Sequence, residues 1–133
     1  MMVVDSNAWA DYFNGVEAPH VARLSRALEE EEDLAVIPII ITEVLQGFRS
    51  DSGFRQARDV LLPLVFDPTL DCHVRAAQLF RDLRRTGSTV RGAVDCIIAQ
   101  VCLDMDATLL SPDVDFDRIA RRTPLRLWRE GAE

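Results

Sequence analysis

The sequence contains no lysine: all 15 basic residues are arginine. Any chemistry that depends on a catalytic lysine is thereby excluded. Histidine is nearly as scarce, with His20 and His73 alone, each on a segment expected to be helical, so a ribonuclease using a histidine acid and a histidine base has little to work with. The three cysteines, Cys72, Cys96 and Cys102, are odd in number, lack a C-x-x-C spacing and sit among apolar residues, which disfavours a disulfide framework or a zinc site. No apolar run reaches the roughly 18 residues that a membrane span needs, and the amino terminus has no charged leader, so a cytoplasmic protein is expected. A basic excess is missing too: the net charge is -7, which leaves no broadly basic face for nucleic acid.

With 133 residues, 48% of them apolar, the chain can bury one sizeable core and is expected to be one domain over residues 1–133. Met2 to Val4 reads as a short strand ending at Asp5, and Ser6 opens a helix that runs to Phe13 and stops at Asn14-Gly15. Further helices are expected over residues 19–32, 39–48, 54–64, 70–86, 92–104 and 115–122, with residues 49–53 as a loop. Strands are expected at residues 34–37, 107–110 and 125–128. The helix at 92–104 is apolar nearly all round and should be buried. Strands alternating with helices predict an α/β fold, a three-layer α/β/α sandwich around a central, mainly parallel sheet.

Five of the 22 acids interrupt apolar elements, where an unpaired carboxylate is costly. Asp5 ends the first strand at its carboxyl edge, where open α/β sheets place ligands. Glu43 lies inside Ile39-Ile40-Ile41-Thr42-Glu43-Val44-Leu45, just beyond the second strand. Asp95 interrupts Ala93-Val94-Asp95-Cys96-Ile97, and Asp113 and Asp115 follow the third strand. Each alone has an ordinary explanation as a helix cap, a surface residue or a first-turn acid favoured by the helix dipole. Gathered at one sheet edge, they repel unless protons or cations hold them. An all-oxygen set suits Mg²⁺ or Mn²⁺, and such an ion supports attack of water on phosphorus.

These stretches resemble the PIN-domain family and, within it, the VapC-type toxins. Val3-Val4-Asp5-Ser6-Asn7-Ala8-Trp9 is similar to the opening motif, Thr42-Glu43-Val44-Leu45-Gln46-Gly47 to the glutamate helix, Thr89 through Ala99 to the third motif and Ala107 through Ala120 to the fourth. The resemblance implies a Mg²⁺- or Mn²⁺-dependent endoribonuclease cleaving RNA phosphodiesters, a homodimer, and inhibition by a cognate antitoxin. By position it implies Asp5, Glu43, Asp95 and Asp113 as the catalytic acids, with Asp5, Asp95 and Asp113 as metal ligands and Ser6 and Ser111 in support. Asn7 stands where a second hydroxyl residue is more usual, and Pro112 separates Ser111 from Asp113, so Asp115 is an alternative or additional ligand. Arg91 is the candidate for contacting substrate phosphate, with a salt bridge to a nearby acid the equal alternative.

Receiver domains and haloacid-dehalogenase-type phosphatases also carry acids at strand ends, but their families use a lysine. A non-catalytic module whose acids grip an arginine-rich protein partner stays open. Along the pocket rim, Arg49, Arg55, Arg84, Arg85 and Arg91 are the expected RNA contacts. An antitoxin is expected to insert an arginine among the acids and to lay an amphipathic helix against Trp9, Phe13 and Phe48.

Overall fold

A computed structural model describes residues 1–88 and 90–131. Thr89, which opens the third motif, and Ala132 and Glu133 lie outside the described residues. Four strands, β1 (Met2–Val4), β2 (Leu34–Ala35), β3 (Thr108–Leu110) and β4 (Arg126–Leu127), form one sheet in the order β2-β1-β3-β4. Every pairing is parallel, with Met2 opposite both Leu34 and Thr108, and Leu109 opposite Leu127. Parallel pairing requires crossovers, and the chain provides them as helices.

Those helices are α1 (Ser6–Phe13), α2 (Pro19–Glu29), α3 (Pro38–Leu45), α4 (Asp51–Leu61), α5 (Leu70–Arg85), α6 (Ala93–Met105) and α7 (Asp115–Ala120). They pack in two groups, α1 with α2 and α3 and α3 with α4 in one, α5 with α6 and α6 with α7 in the other. The expected α/β architecture is therefore present. Its core is continuous: Val3, Trp9, Leu24, Ile40, Ile98, Leu109, Phe116 and Ile119 are almost fully buried. Helix α6 buries Cys96, Ile98, Ala99, Val101 and Cys102, which explains its lack of a polar stripe. Burial pushes the Cys96 thiol up to about 11 and the Cys102 thiol to about 12, so both stay protonated and act as small hydrophobes. No described helix is long and apolar enough to cross a membrane.

Element ends differ from the sequence expectation where a cap or a neighbour decides. The stretch 49–53 is not all loop, because the Ser50 side chain accepts from the Gly53 amide and starts α4 at Asp51. A Cβ on Gly53 would stand 3.0 Å from both the Phe48 ring and the Ser50 Oγ, so a larger residue in this capped turn would have to push those side chains aside. At its other end α4 passes into a 3-10 turn at Leu62–Leu64. Pro38 opens α3 one residue earlier than expected, its fixed φ suiting the first helical turn. The second strand is shorter than its apolar run, since Val36 leaves the sheet to pair with Val65: its amide donates to the Leu64 carbonyl at 2.9 Å, and the Phe66 amide donates to its carbonyl at 2.8 Å.

Trp9 corrects one expectation. Its side chain is fully buried, stacked on Phe13 with ring centroids 5.8 Å apart, and Phe13 meets Phe48 edge-on at 5.7 Å. An aromatic on the inner face of α1 is core, so Trp9 offers no surface to a partner helix.

Candidate active site

Strand order sets the location of the site. From β1 the chain crosses to β2 on one side, and β3 lies on the other. Connections leaving neighbouring strands in opposite directions open a crevice at their carboxyl ends. Asp5 and Ser111 are the residues that follow β1 and β3 at that edge. The β1–β3 ladder extends to them, with the Asp5 amide donating to the Leu110 carbonyl at 3.0 Å.

Asp5 is buried, 4% exposed. One oxygen accepts from the Ser6 amide at 2.7 Å, so the residue caps α1 as its ordinary explanation requires. The other accepts from the Ser111 hydroxyl at 2.8 Å. Burial nevertheless raises its pKa, the bonds from Ser111 and Ser6 opposing, with repulsion from Asp113 adding. A cap needs only the first bond. The second, from a serine 106 positions away, and the charge nearby are what a cap does not explain.

The remaining acids meet Asp5 there. A cleft of about 300 Å³ is lined by Asp5, Ser6, Asn7, Glu43, Arg91, Asp95, Asp113 and Asp115, together with residues 92–94. Glu43 reaches it from the inner side of α3 and Asp95 from the first turn of α6. Glu43 is raised by burial and then by Asp5, with the Ser6 hydroxyl opposing. Its Oε1 is buried with no hydrogen-bond partner among the described residues. Asp95 is pushed up to about 6, first by burial and then by Asp5, Asp113, Asp115 and Glu43 in turn. One carboxylate thus registers the charge of all four others. The loop after β3 is fixed by its own side chains: the Asp113 amide donates to Ser111 Oγ at 3.1 Å, and the Asp115 amide donates to Asp113 Oδ1 at 2.9 Å. Pro112 is accommodated without disturbing this turn.

Asp115 differs from the rest. It is 5% exposed and lies between two guanidinium groups, Arg91 Nε at 3.3 Å from Oδ2 and Arg118 Nη1 at 3.3 Å from Oδ1. Of the two readings of Arg91, the structure contains the salt bridge, made by a side chain that is still 83% exposed. Arg118 carried no sequence signal of its own, although its position three residues after Asp115 on α7 puts the pair on one helix face.

The donor set suits a hard divalent cation. Five mutually repelling carboxylates, one with a buried oxygen that has no hydrogen-bond partner among the described residues, form a site that positive charge stabilises. Among the described residues no three acids are drawn together into a ready-made metal cage. Magnesium does not require one, since it commonly takes one or two carboxylates and keeps several waters.

The chain matches the family described as PIN domain over residues 2–122. It is 34% identical over 130 residues to VapC ribonuclease Mb1587 of Mycobacterium bovis and to Ribonuclease VapC11 of Mycobacterium tuberculosis, covering 95% of this chain and 96% of each relative. Among solved structures its fold is similar to VapBC2 from Rickettsia felis bound to a DNA fragment from the promoter, with a TM-score of 0.75, 19% identity and 96% of both chains covered. FitAcB from Neisseria gonorrhoeae is similar with a TM-score of 0.74, 13% identity and 97% of both chains covered. The chain belongs to the PIN-domain family and, within it, to the VapC ribonucleases.

Proposed function

We propose that this chain is a divalent-metal-dependent endoribonuclease that hydrolyses RNA phosphodiester bonds at the carboxyl edge of its sheet, as the toxin of a toxin–antitoxin pair. The observation that carries the site assignment is that Asp5, Glu43, Asp95, Asp113 and Asp115 line one cleft at that edge, with Glu43 Oε1 buried and without a hydrogen-bond partner among the described residues. Asp5, Asp95 and Asp113 are the residues that hold Mg²⁺ or Mn²⁺, and Asp115 joins them once it gives up a guanidinium. When bound, the cation offsets the carboxylate repulsion and supplies Lewis-acid polarisation of a phosphoryl oxygen. Glu43, with an oxygen free of hydrogen bonds, orients the attacking water and accepts its proton. Ser111 and Ser6 hold the Asp5 oxygens. Arg91, exposed beside the cleft, is placed to meet the substrate phosphate when it leaves Asp115.

The cognate antitoxin, a homodimeric state, a cytoplasmic location and a single domain across residues 1–133 belong to the same reading. An antitoxin arginine entering the acidic cleft would repeat what Arg91 and Arg118 already do at Asp115. The same ion pairs favour the second reading, a non-catalytic module that grips arginine. Purified protein incubated with end-labelled RNA separates the two. Cleavage in Mg²⁺ that stops in EDTA and in Asp95→Asn is expected; intact RNA under every condition would leave only the binding module.

A further inference from the structure

Arginines in this chain are mostly neutralised by nearby acids: Arg23 by Glu32, Arg75 by Asp104, Arg126 by Asp106 and Arg129 by Asp117. The carboxyl end of α7 departs from that pattern. A cleft of about 270 Å³ is lined by Gly87, Ser88, Arg118, Arg121 and Arg122, three guanidinium groups and no carboxylate. Arg121 and Arg122 are exposed and have no ion pair among the described residues. In a protein of net charge -7, a cation-only cleft is the surface most able to bind phosphate.

Its position ties it to the acidic cleft. Arg118 lines the basic cleft while bonding Asp115, and Asp115 lines the acidic one. The two clefts are therefore neighbours across a single ion pair. On the far side, Gly87 and Ser88 are shared with a third cleft that also holds Phe80, Arg84 and Val90. There the Arg84 guanidinium lies over the Phe80 ring, 5.6 Å from its centroid, a flat cationic wall of the kind on which an unpaired base stacks.

We infer that Arg118, Arg121 and Arg122 form a phosphate track for single-stranded RNA flanking the bond to be cut, leading from the acidic cleft toward the Phe80–Arg84 wall. This rests on the ribonuclease reading and adds the form of its substrate. Arg121, which caps the carboxyl end of α7, and Arg122, just beyond it, grip the backbone, which is why the track is indifferent to sequence. Arg118 is shared between Asp115 and the strand, so RNA arriving in the track loosens the ion pair that closes Asp115. An acidic protein segment fits the charge alone, whereas RNA also fits the continuity with the acidic cleft and the stacking wall.

The test is the affinity of a fluorescein-labelled 12-nucleotide single-stranded RNA, measured by anisotropy in EDTA over a salt series, for wild type, Arg121→Ala/Arg122→Ala and the control Arg58→Ala. The two exposed substitutions leave the core untouched, and circular dichroism checks the fold. The double variant should lose about 1.4 from the slope of log Kd against log salt, from about 0.7 per phosphate contact on a single strand, while Arg58→Ala matches wild type. An unchanged affinity and slope overturns the track. So does a poly-glutamate peptide whose binding depends on Arg121 and Arg122 when RNA binding does not. Cleavage of the same RNA by wild type in Mg²⁺ is measured alongside: its absence overturns the ribonuclease reading, and the binding series still decides the track.

Discussion

Ser111 donates a 2.8 Å hydrogen bond to Asp5 across 106 positions of sequence, tying the end of β3 to the end of β1 at the floor of the acidic cleft. The bond stabilises the ionised form of a buried carboxylate, which burial otherwise disfavours. Ser111→Ala should therefore cost about 1.5–3 kcal/mol, the usual worth of a hydrogen bond to a charged group. The loss should be larger at pH 8 than at pH 4, because protonation of Asp5, favoured by its burial, removes the charge that the bond stabilises. Thermal unfolding at the two pH values checks it, and Ser111→Thr should restore most of the difference. Equal loss at both would mean that the hydroxyl serves packing alone.

Asp95 sets the pH dependence of the metal-free protein. Its folded pKa of about 6 lies above the ordinary aspartate value of 3.8, so folding favours the protonated form. The stabilisation is fully present below about pH 4 and is lost as pH rises through about 6. Wild type in EDTA should lose stability across that window, by on the order of 1 kcal/mol after allowance for solvent screening of this partly exposed group. Asp95→Asn should lose less than wild type across that window and be more stable than wild type at pH 7. Denaturant titrations from pH 4 to 8 decide it; parallel curves would mean that the repulsion is negligible.

Metal binding should reverse that penalty. Mg²⁺ at a hundredfold excess over its dissociation constant should stabilise wild type by about 2.7 kcal/mol, because only the folded state binds it. Asp5→Asn and Asp95→Asn should lose both this shift and RNA cleavage. Asp113→Asn and Asp115→Asn identify the fourth ligand in the same assay. Since Asp115 already pairs with Arg91 and Arg118, Asp113→Asn should show the greater loss of the metal-induced shift. A normal shift in Asp113→Asn with none in Asp115→Asn would exchange their roles.

Trp9 belongs to the core. Trp9→Ala should cost about 3–5 kcal/mol, as large-to-small changes at buried aromatics do, and so tells nothing about a partner surface. Trp9→Phe should be much milder. The Trp9 Nε1 is buried with no hydrogen-bond partner among the described residues, and phenylalanine removes that unsatisfied donor while keeping the stack on Phe13. Urea midpoints of the two variants, compared with wild type, test both statements.

The acids were legible because they violate a rule: a carboxylate inside an apolar run needs a reason, and Asp5, Glu43, Asp95, Asp113 and Asp115 each sit in or beside one. Strand and helix content followed from the alternation of short apolar runs with amphipathic stretches, and the all-apolar α6 announced its own burial. Less legible were the ends of α4 and β2, set by a serine cap at Ser50 and by the pairing of Val36 with Val65. The aromatic run of α1 has the same sequence signature whether it faces a core or a partner, so Trp9 was placed on the wrong side. Arg118, Arg121 and Arg122 carry no motif that sets them apart from the other arginines along the chain.

The sequence by itself determined the chemistry available to this protein. It has carboxylates without lysine, arginines without a basic excess, and apolar periodicity enough for a parallel sheet, all properties of residue type and spacing along the chain. Tertiary structure alone decided which of those groups meet. Ser111 reaches Asp5, Arg91 and Arg118 enclose Asp115, and a cation-only cleft adjoins an anion-rich one because the order β2-β1-β3-β4 brings the ends of β1 and β3 side by side. Electrostatic coupling depends on distance through space and on burial. Neither is written in the spacing of residues along a strand, and both arise only when the crossovers close.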